Sequence, residues 1–371
     1  MSLYGLDLSN ESTDNHQNSK MEHYQTSQSQ HQHRQLSKSP ETNQVYQGDC
    51  LEVLKAFPDE SIDCVITSPP YWGLRDYGID NQLGLEEHPQ QYIDKVLEVM
   101  KECQRVLKPT GTIFLNLGDS FYTKSGSGQG SNFLERHREL DGGAGRLTRA
   151  HTETRGKFKS NWLQSKQKLL IPYRIAIRCQ DELGLILRND IHWIKQFIDW
   201  GSKESYGNSY PSSVQDRLTT NSEAIFFFVK GKDYSFNLDA IRVPHKEISF
   251  KRLKYRHKLK TLCNPKGKNP GDCLRFPPDY SNDFHPAVFP KTLPEFCILC
   301  GCPQNGTVLD PFAGSGTTLD VALQLGRKYI GIEINPKYVE LINKRLSQKS
   351  PSQLNHEIGL TPVSRAVGLA A

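Results

Sequence analysis

The chain has no run of 18 apolar residues, which excludes a membrane-spanning helix. No apolar stretch follows the N-terminus, so no secretory signal is expected. The nine cysteines show no disulfide-like spacing, and a reduced, cytoplasmic setting is the simplest expectation. Cys297-Ile298-Leu299-Cys300 sits in an apolar helix end with no paired motif of standard zinc spacing before it. Cys297, Cys300 and Cys302, with Cys263 and Cys273 upstream, are expected to be free thiols, and no metal is expected. There is no three-glycine dinucleotide fingerprint. No glycine-rich loop runs on into Gly-Lys-Ser/Thr, so a phosphate-binding P-loop is excluded as well. Hydrophobic residues are only 36% of the 371, enough for one large domain or two modest ones.

Charge is present, and it is unevenly placed. The net charge is +5. Residues 121–168 carry ten Lys/Arg against four Asp/Glu, and residues 244–275 carry ten against two. The rest of the chain is therefore net negative. Two concentrated basic blocks are what a polyanion-binding face requires, although solvated loops also look like this.

Residues 1–43 are rich in Gln, Ser, His and Asn and poor in large apolar residues, and are expected to form a disordered tail. His31 and His33 belong to that tail and are not read as ligands. Residues 349–371 read as a second tail. Between them, residues 44–348 alternate strand-like and helix-like patterns. Asp63 to Ile66 reads as a short buried strand. Tyr92 to Leu107 has helical spacing through Ile93, Val96, Leu97, Met100 and Val106. Lys108-Pro109-Thr110-Gly111 reads as the stop, before a strand over Thr112 to Leu117. Leu169 to Leu183 reads as a helix. Apolar strands are expected at Leu185 to Leu187, Ile191 to Ile194 and Ala224 to Lys230. His192 and Trp193 are expected in the core. Thr307 to Leu309 and Tyr329 to Ile332 read as strands, Thr317 to Leu325 and Val339 to Leu346 as helices. The fold class is therefore α/β, an open and mostly parallel sheet with helices on both faces.

Two short runs carry chemistry. Asp310-Pro311-Phe312-Ala313-Gly314-Ser315-Gly316-Thr317-Thr318 joins a strand to a helix. Its glycines permit unusual backbone angles and close approach of a ligand. Glu333 follows the next strand, where a carboxylate can accept both hydroxyl hydrogens of a ribose. The second run is Thr67-Ser68-Pro69-Pro70-Tyr71-Trp72. Two prolines fix the backbone and carry no N–H, so carbonyls can be aimed outward. The Ser68 hydroxyl and the Pro69 carbonyl offer two acceptors for the hydrogens of an amine on a planar ring. Tyr71 can stack on that ring and Trp72 can wall the pocket. A ring-carbon acceptor would instead want a nucleophilic cysteine after proline, and no Pro-Cys dipeptide occurs. Each run alone also fits an ordinary strand-end turn without a ligand.

Together, and in this order, the runs resemble the β-class DNA amino-methyltransferases. The resemblance spans about residues 45–346. It implies a Rossmann-like S-adenosylmethionine-dependent fold, circularly permuted so that the catalytic run precedes the cofactor glycines, with a target-recognition insert at about 237–284. Asp310 to Thr318 looks like the family's motif I, with Asp310, Phe312, Gly314, Ser315, Gly316 and Thr317 at the cofactor. Gly48-Asp49 looks like motif III, its Asp49 near the adenosine. Glu333 looks like the ribose-binding acid of motif II. His285 to Pro290 looks like motif X, with Phe289 at the methionine part. Arg217 to Glu223 looks like motif VIII. Ser68 to Trp72 looks like the catalytic motif IV.

The resemblance further implies S-adenosyl-L-methionine as methyl donor and double-stranded DNA as substrate, with the target base flipped out. Lys251, Arg252, Lys254, Arg256, Lys258 and Lys260 fall in the recognition insert and would meet DNA, mostly at phosphates. The Gly-rich basic block 121–168 would form a loop over the DNA. Serine before Pro-Pro-Tyr-Trp is similar to the cytosine-N4 enzymes, whereas adenine-N6 enzymes more often carry Asp or Asn. Adenine N6 stays open as the alternative, as do an RNA or small-molecule substrate and a catalytically silent DNA-binding protein. The resemblance allows a homodimer and a cognate restriction endonuclease on a separate chain.

Overall fold

The computed structural model describes residues 40–74, 79, 82–122, 163–207, 215–245, 264–276 and 290–347. The strands are β1 (Gln44–Gln47), β2 (Ile62–Thr67), β3 (Leu107–Leu117), β4 (Ile186–Ile194), β5 (Gln196–Ile198), β6 (Ser205–Gly207), β7 (Ser222–Val229), β8 (Cys273–Arg275), β9 (Thr307–Asp310) and β10 (Lys328–Glu333). The helices are α1 (Cys50–Lys55), α2 (Pro89–Val106), α3 (Ile171–Asp181), α4 (Thr292–Gly301), α5 (Thr317–Gln324) and α6 (Pro336–Ser347). Among the described residues, none of these helices is long and apolar enough to cross a membrane.

Eight of the described strands form one sheet in the order β1-β10-β9-β2-β3-β7-β4-β8. Neighbours from β1 to β3 are parallel, β7 runs antiparallel to both β3 and β4, and β8 is parallel to β4. The central strands are buried on both faces, which is why they read as continuous apolar runs rather than alternating ones. α1, α2 and α3 cover one face, where Leu54, Tyr92, Ile93, Met100 and Ile175 meet Val65, Ile113 and Phe226. α4, α5 and α6 cover the other, where Cys297, Ile298, Leu319 and Ile342 meet Cys64, Ile66 and Ile225. Phe114 and Phe227, paired across β3 and β7, stack with centroids 4.7 Å apart. This is the doubly covered α/β sheet that the alternating pattern predicts.

Three local differences have physical reasons. α2 does not end in a Lys108 to Gly111 turn. It abuts β3 at Leu107, whose ψ of 133° already belongs to a strand. Parallel pairing of Leu107 with Ile62 extends β3 backwards, and the register shift before Cys64 absorbs the irregularity. α2 also begins earlier, at Pro89, because His88 and Gln91 form a reciprocal cap. The two apolar pieces around Leu187 and Ile191 are one strand, β4, interrupted only by a shift at Leu187/Asn189. On β4, Trp193 is buried and donates its indole N–H to the Phe276 carbonyl (2.9 Å). His192 alternates to the other side and remains half-exposed, so only half of that expected core pair is in the core.

Candidate active site

β2 and β9 pair in parallel, Cys64 beside Val308 and Val65 beside Leu309. Their C-terminal ends therefore release the Ser68 loop and the Gly314 turn side by side, at the edge where open α/β sheets hold ligands. The two loops are tied directly. Thr67 Oγ donates to one oxygen of Asp310 at 2.9 Å, across 243 residues of sequence. The Phe312 N–H donates to that same oxygen (3.1 Å), and Thr318 Oγ donates to the other (2.7 Å). Asp310 is buried; burial lifts its carboxyl to about 6, and the three donors work against that rise. Its carboxylate holds the turn in shape.

The turn itself needs glycine. Gly314 (φ 53°) and Gly316 (φ 78°) both adopt left-handed backbone, and Gly316 starts α5. Ser315 and Thr317 are buried within it, their hydroxyls 3.4 Å apart. Phe312 is half-buried. Arg345 from α6 donates to the Ser315 carbonyl (3.1 Å). Glu333 closes the other side. One carboxylate oxygen accepts the Gly314 N–H and the other the Asn335 N–H, each at 2.8 Å. Burial raises Glu333 to about 6, against the backbone donors that lower it. Its main-chain oxygen accepts the Gly48 N–H (3.0 Å), which brings Asp49 alongside. Asp49 caps α1, accepting from Leu51 N (2.9 Å) and Glu52 N (3.2 Å) with one oxygen.

This donor set fits an adenosine-bearing cofactor. Backbone donors orient the Glu333 carboxylate, whose remaining lone-pair sites can take a ribose diol. The glycine turn allows close approach, and Phe312 offers a flat apolar surface.

The catalytic run sits on the far side of the Thr67–Asp310 bond. Pro69 is buried and Ser68 half-buried. The Tyr71 phenol is enclosed by a polar network. It donates to Glu223 at 2.8 Å and accepts from Asn116 Nδ2 at 2.9 Å. Asn116 also donates to the same Glu223 oxygen (3.0 Å), and Lys195 forms an ion pair with the other. Ser68 Oγ lies 3.4 Å from the phenol oxygen. Burial and the nearby Glu223 push the phenol well above its usual pKa, so Tyr71 is neutral. A Cβ at Gly118 would collide with the Tyr71 ring, so that glycine leaves the ring its place. Trp72 is 3% exposed, packs into the core under α2, and donates its indole N–H to the Glu86 carbonyl (2.9 Å). It braces the loop from below.

The structure thus brings Ser68, Tyr71, Asp49, Asp310, Gly314, Gly316 and Glu333 to one edge. Phe289, Lys251, Arg252, Lys254, Arg256, Lys258 and Lys260 lie outside the described residues, as do the first 39 residues, residues 348–371 and residues 123–162. Asn116 and Lys195 were not singled out by the sequence, and Glu223 only as the last residue of the run resembling motif VIII; all three belong to the network around Tyr71. Their shared signal is a polar side chain at the end of an otherwise apolar strand, on one sheet edge. That signal is usable only once the strand order is known. Cys297 and Cys300 lie buried on α4, and burial lifts the Cys300 thiol to about 12. Among the described residues no group of His, Cys, Asp or Glu could hold a metal.

A Rossmann-like sheet with a glycine turn, a ribose-type acid and an adjacent Ser-Pro-Pro-Tyr loop defines a cofactor-dependent transferase of the methylase class. The chain belongs to the DNA methylase family of N6/N4 methyltransferases, whose model matches residues 62–344. It is 34% identical over 302 residues to the type II methyltransferase M.SmaI of Serratia marcescens, covering 81% of this chain and 90% of that one. It is equally 34% identical over 302 residues to M.Cfr9I of Citrobacter freundii, covering 81% and 87%. Among solved structures it is similar in fold to the PvuII DNA methyltransferase (cytosine-N4-specific). That match has a TM-score of 0.55 at 22% identity, over 86% of this chain and 92% of that one. The family is S-adenosylmethionine-dependent, and the cofactor is S-adenosyl-L-methionine.

Proposed function

We propose that this chain methylates the N4 amine of cytosine in double-stranded DNA, at a specific site and with the base flipped out. The observation that carries this reading is the direction of the hydrogen bonds at Ser68. Glu223 as a carboxylate only accepts, so the Tyr71 hydrogen points to it. The phenol oxygen then accepts from Ser68. Ser68 Oγ keeps its lone pairs for a hydrogen of the incoming amine, and the Pro69 carbonyl can take the other. With both hydrogens held, the amine nitrogen can pyramidalise and its lone pair leaves the ring. S-adenosylmethionine, when bound, supplies an electrophilic methyl to that nitrogen. The N–C bond would form as the S–C bond breaks, the donor leaving as a neutral thioether, and the surplus proton on the methylated nitrogen would be lost to solvent.

Tyr71 lays its ring against the base, and Asn116, Glu223 and Lys195 keep that ring fixed. The base must leave the duplex to reach them, which costs about a few kcal/mol. The basic insert around 237–284, with Lys251 to Lys260, and the block 121–168 are the proposed DNA contacts, mainly to phosphate. A hydroxyl rather than a carboxylate or amide at position 68 favours cytosine N4 over adenine N6. The type II names of the relatives support a restriction–modification system, whose endonuclease would be a separate chain. The test is label transfer from radioactive S-adenosylmethionine to unmethylated plasmid DNA and, in parallel, to RNA. Label in DNA alone is expected. Label in RNA alone, or none with cofactor bound, would contradict the proposal.

A further inference from the structure

Directly after β4 the chain bends at Lys195 and forms a two-stranded hairpin, β5 with β6, separate from the main sheet. The hairpin is well braced. Phe197 and Tyr206 are cross-strand partners and stack at 4.8 Å. Arg275, at the end of β8, lies 4.3 Å over the Phe197 ring. Gly207 faces Lys195 so closely that a Cβ would strike its carbonyl. The tip is shaped by Asp199, whose side chain accepts from Gly201 N (2.8 Å) and Ser202 N (3.2 Å). On this ordered tip Trp200 is 78% exposed, with the Lys203 ammonium 3.2 Å above its ring. The indole is thus held out on a braced turn, where its apolar area is open to a partner.

The hairpin begins at the residue that pairs with Glu223, and through Glu223 it adjoins Tyr71. Three residues of β5 lift the tip about 10 Å beyond Lys195. That reach is comparable to the depth of a DNA groove, roughly 8 Å. The hairpin thus springs from the same sheet edge as the Ser68 loop, within reach of a duplex bound there. Flipping a base leaves an unstacked gap in the duplex, and a planar apolar side chain is a fitting filler for such a gap. On insertion both faces of the ring would be taken by bases, so Lys203 would swing off the ring and its ammonium would be free for an adjacent phosphate.

Resting on the function proposed above, we propose that the 196–207 hairpin is a DNA wedge. Trp200 fills the gap left by the flipped base, and Lys203 meets the flanking phosphate. Neither residue belongs to the basic segments that the sequence assigns to DNA.

The test compares the wild type, Trp200→Ala and Trp200→Phe on two duplexes carrying the mapped methylation site. In one the target base is normally paired; in the other it is mismatched and already loosened. A wedge predicts that Trp200→Ala loses about 10- to 100-fold in kcat/KM on the paired duplex, on the scale of the flipping cost. It regains most of this on the mismatched one. Trp200→Phe keeps most activity on both, and cofactor affinity is unchanged in all three. Equal activity of Trp200→Ala and wild type on the paired duplex would overturn the wedge. So would an equal loss on both duplexes. A wild type silent on every DNA would instead overturn the function on which the wedge rests.

Discussion

Three side chains carry separable parts of the chemistry. Ser68 is assigned to the amine and not to the cofactor. Ser68→Ala should therefore lower kcat about 100-fold, a usual scale for lost proton handling, with cofactor affinity unchanged by calorimetry. Unchanged turnover would remove Ser68 from the mechanism. Glu223 acts through Tyr71. Truncating Glu223 to Ala frees the phenol, leaves Lys195 without its carboxylate and should lower kcat while sparing cofactor binding; Glu223→Gln should recover part of the loss. Equal kcat for Glu223→Ala and wild type would show that Tyr71 needs no anchor.

Glu333 gives a pH signature. Its carboxyl is lifted from 4.5 to about 6 by burial. In the cofactor-free protein the protonated form predominates only below about pH 6, and the stability it adds, fully present below 4.5, is lost as pH rises through about 6. Ribose hydroxyls need the ionised form. Cofactor affinity should therefore be steady above neutral pH and weaken below about 6, with binding there releasing a proton. The variant Glu333→Gln should bind weakly with little pH dependence between 5 and 8. An unchanged pH profile in that variant would assign the dependence elsewhere.

At the scale of elements, the glycine turn and the Tyr71 loop depend on missing side chains. At Gly316 a Cβ would lie 3.0 Å from Ile342 in left-handed backbone. Gly316→Ala should cost about 1–2 kcal/mol in a thermal or denaturant melt and weaken cofactor binding. Gly118→Ala should displace the Tyr71 ring and lower kcat, with cofactor affinity intact. Cofactor loss without loss of kcat would contradict that placement. Elements of this kind differ in how plainly the sequence announces them. The long apolar periodicity of α2 and the unbroken Ile225 to Val229 run of β7 are visible because packing dictates them residue by residue. β1, α1 and the β5–β6 hairpin are short, polar or held by distant partners, so their own residues say little. β3 reaches back to Leu107 only because Ile62 pairs there. The glycine turn and the Ser68 loop stood out in the sequence because their residue types are unusual at strand ends, and the structure sets them side by side. Asn116 and Lys195 did not stand out, and Glu223 only as part of a resembling run, because a strand-end polar residue means nothing until its neighbours in space are known.

At the scale of the whole molecule, what matters is the order of the strands. β2 and β9 lie far apart in the chain and adjacent in the sheet, with the Asn116, Glu223 and Lys195 strands on one side and the Glu333 and Asp49 strands on the other. On the proposed reading the site is divided along one edge, with the residues assigned to the cofactor towards β1 and those assigned to the base towards β4. Sequence could suggest that the two runs cooperate; only the parallel pairing of β2 with β9 puts them together. The central claim is that this edge presents an amine of cytosine to S-adenosylmethionine. Unmethylated DNA incubated with the protein and cofactor, digested to nucleosides and analysed by mass spectrometry, tests it most directly. The account predicts N4-methylcytosine. N6-methyladenine in its place would contradict the role given to Ser68 in choosing the base, and no methylated nucleoside would contradict the account as a whole.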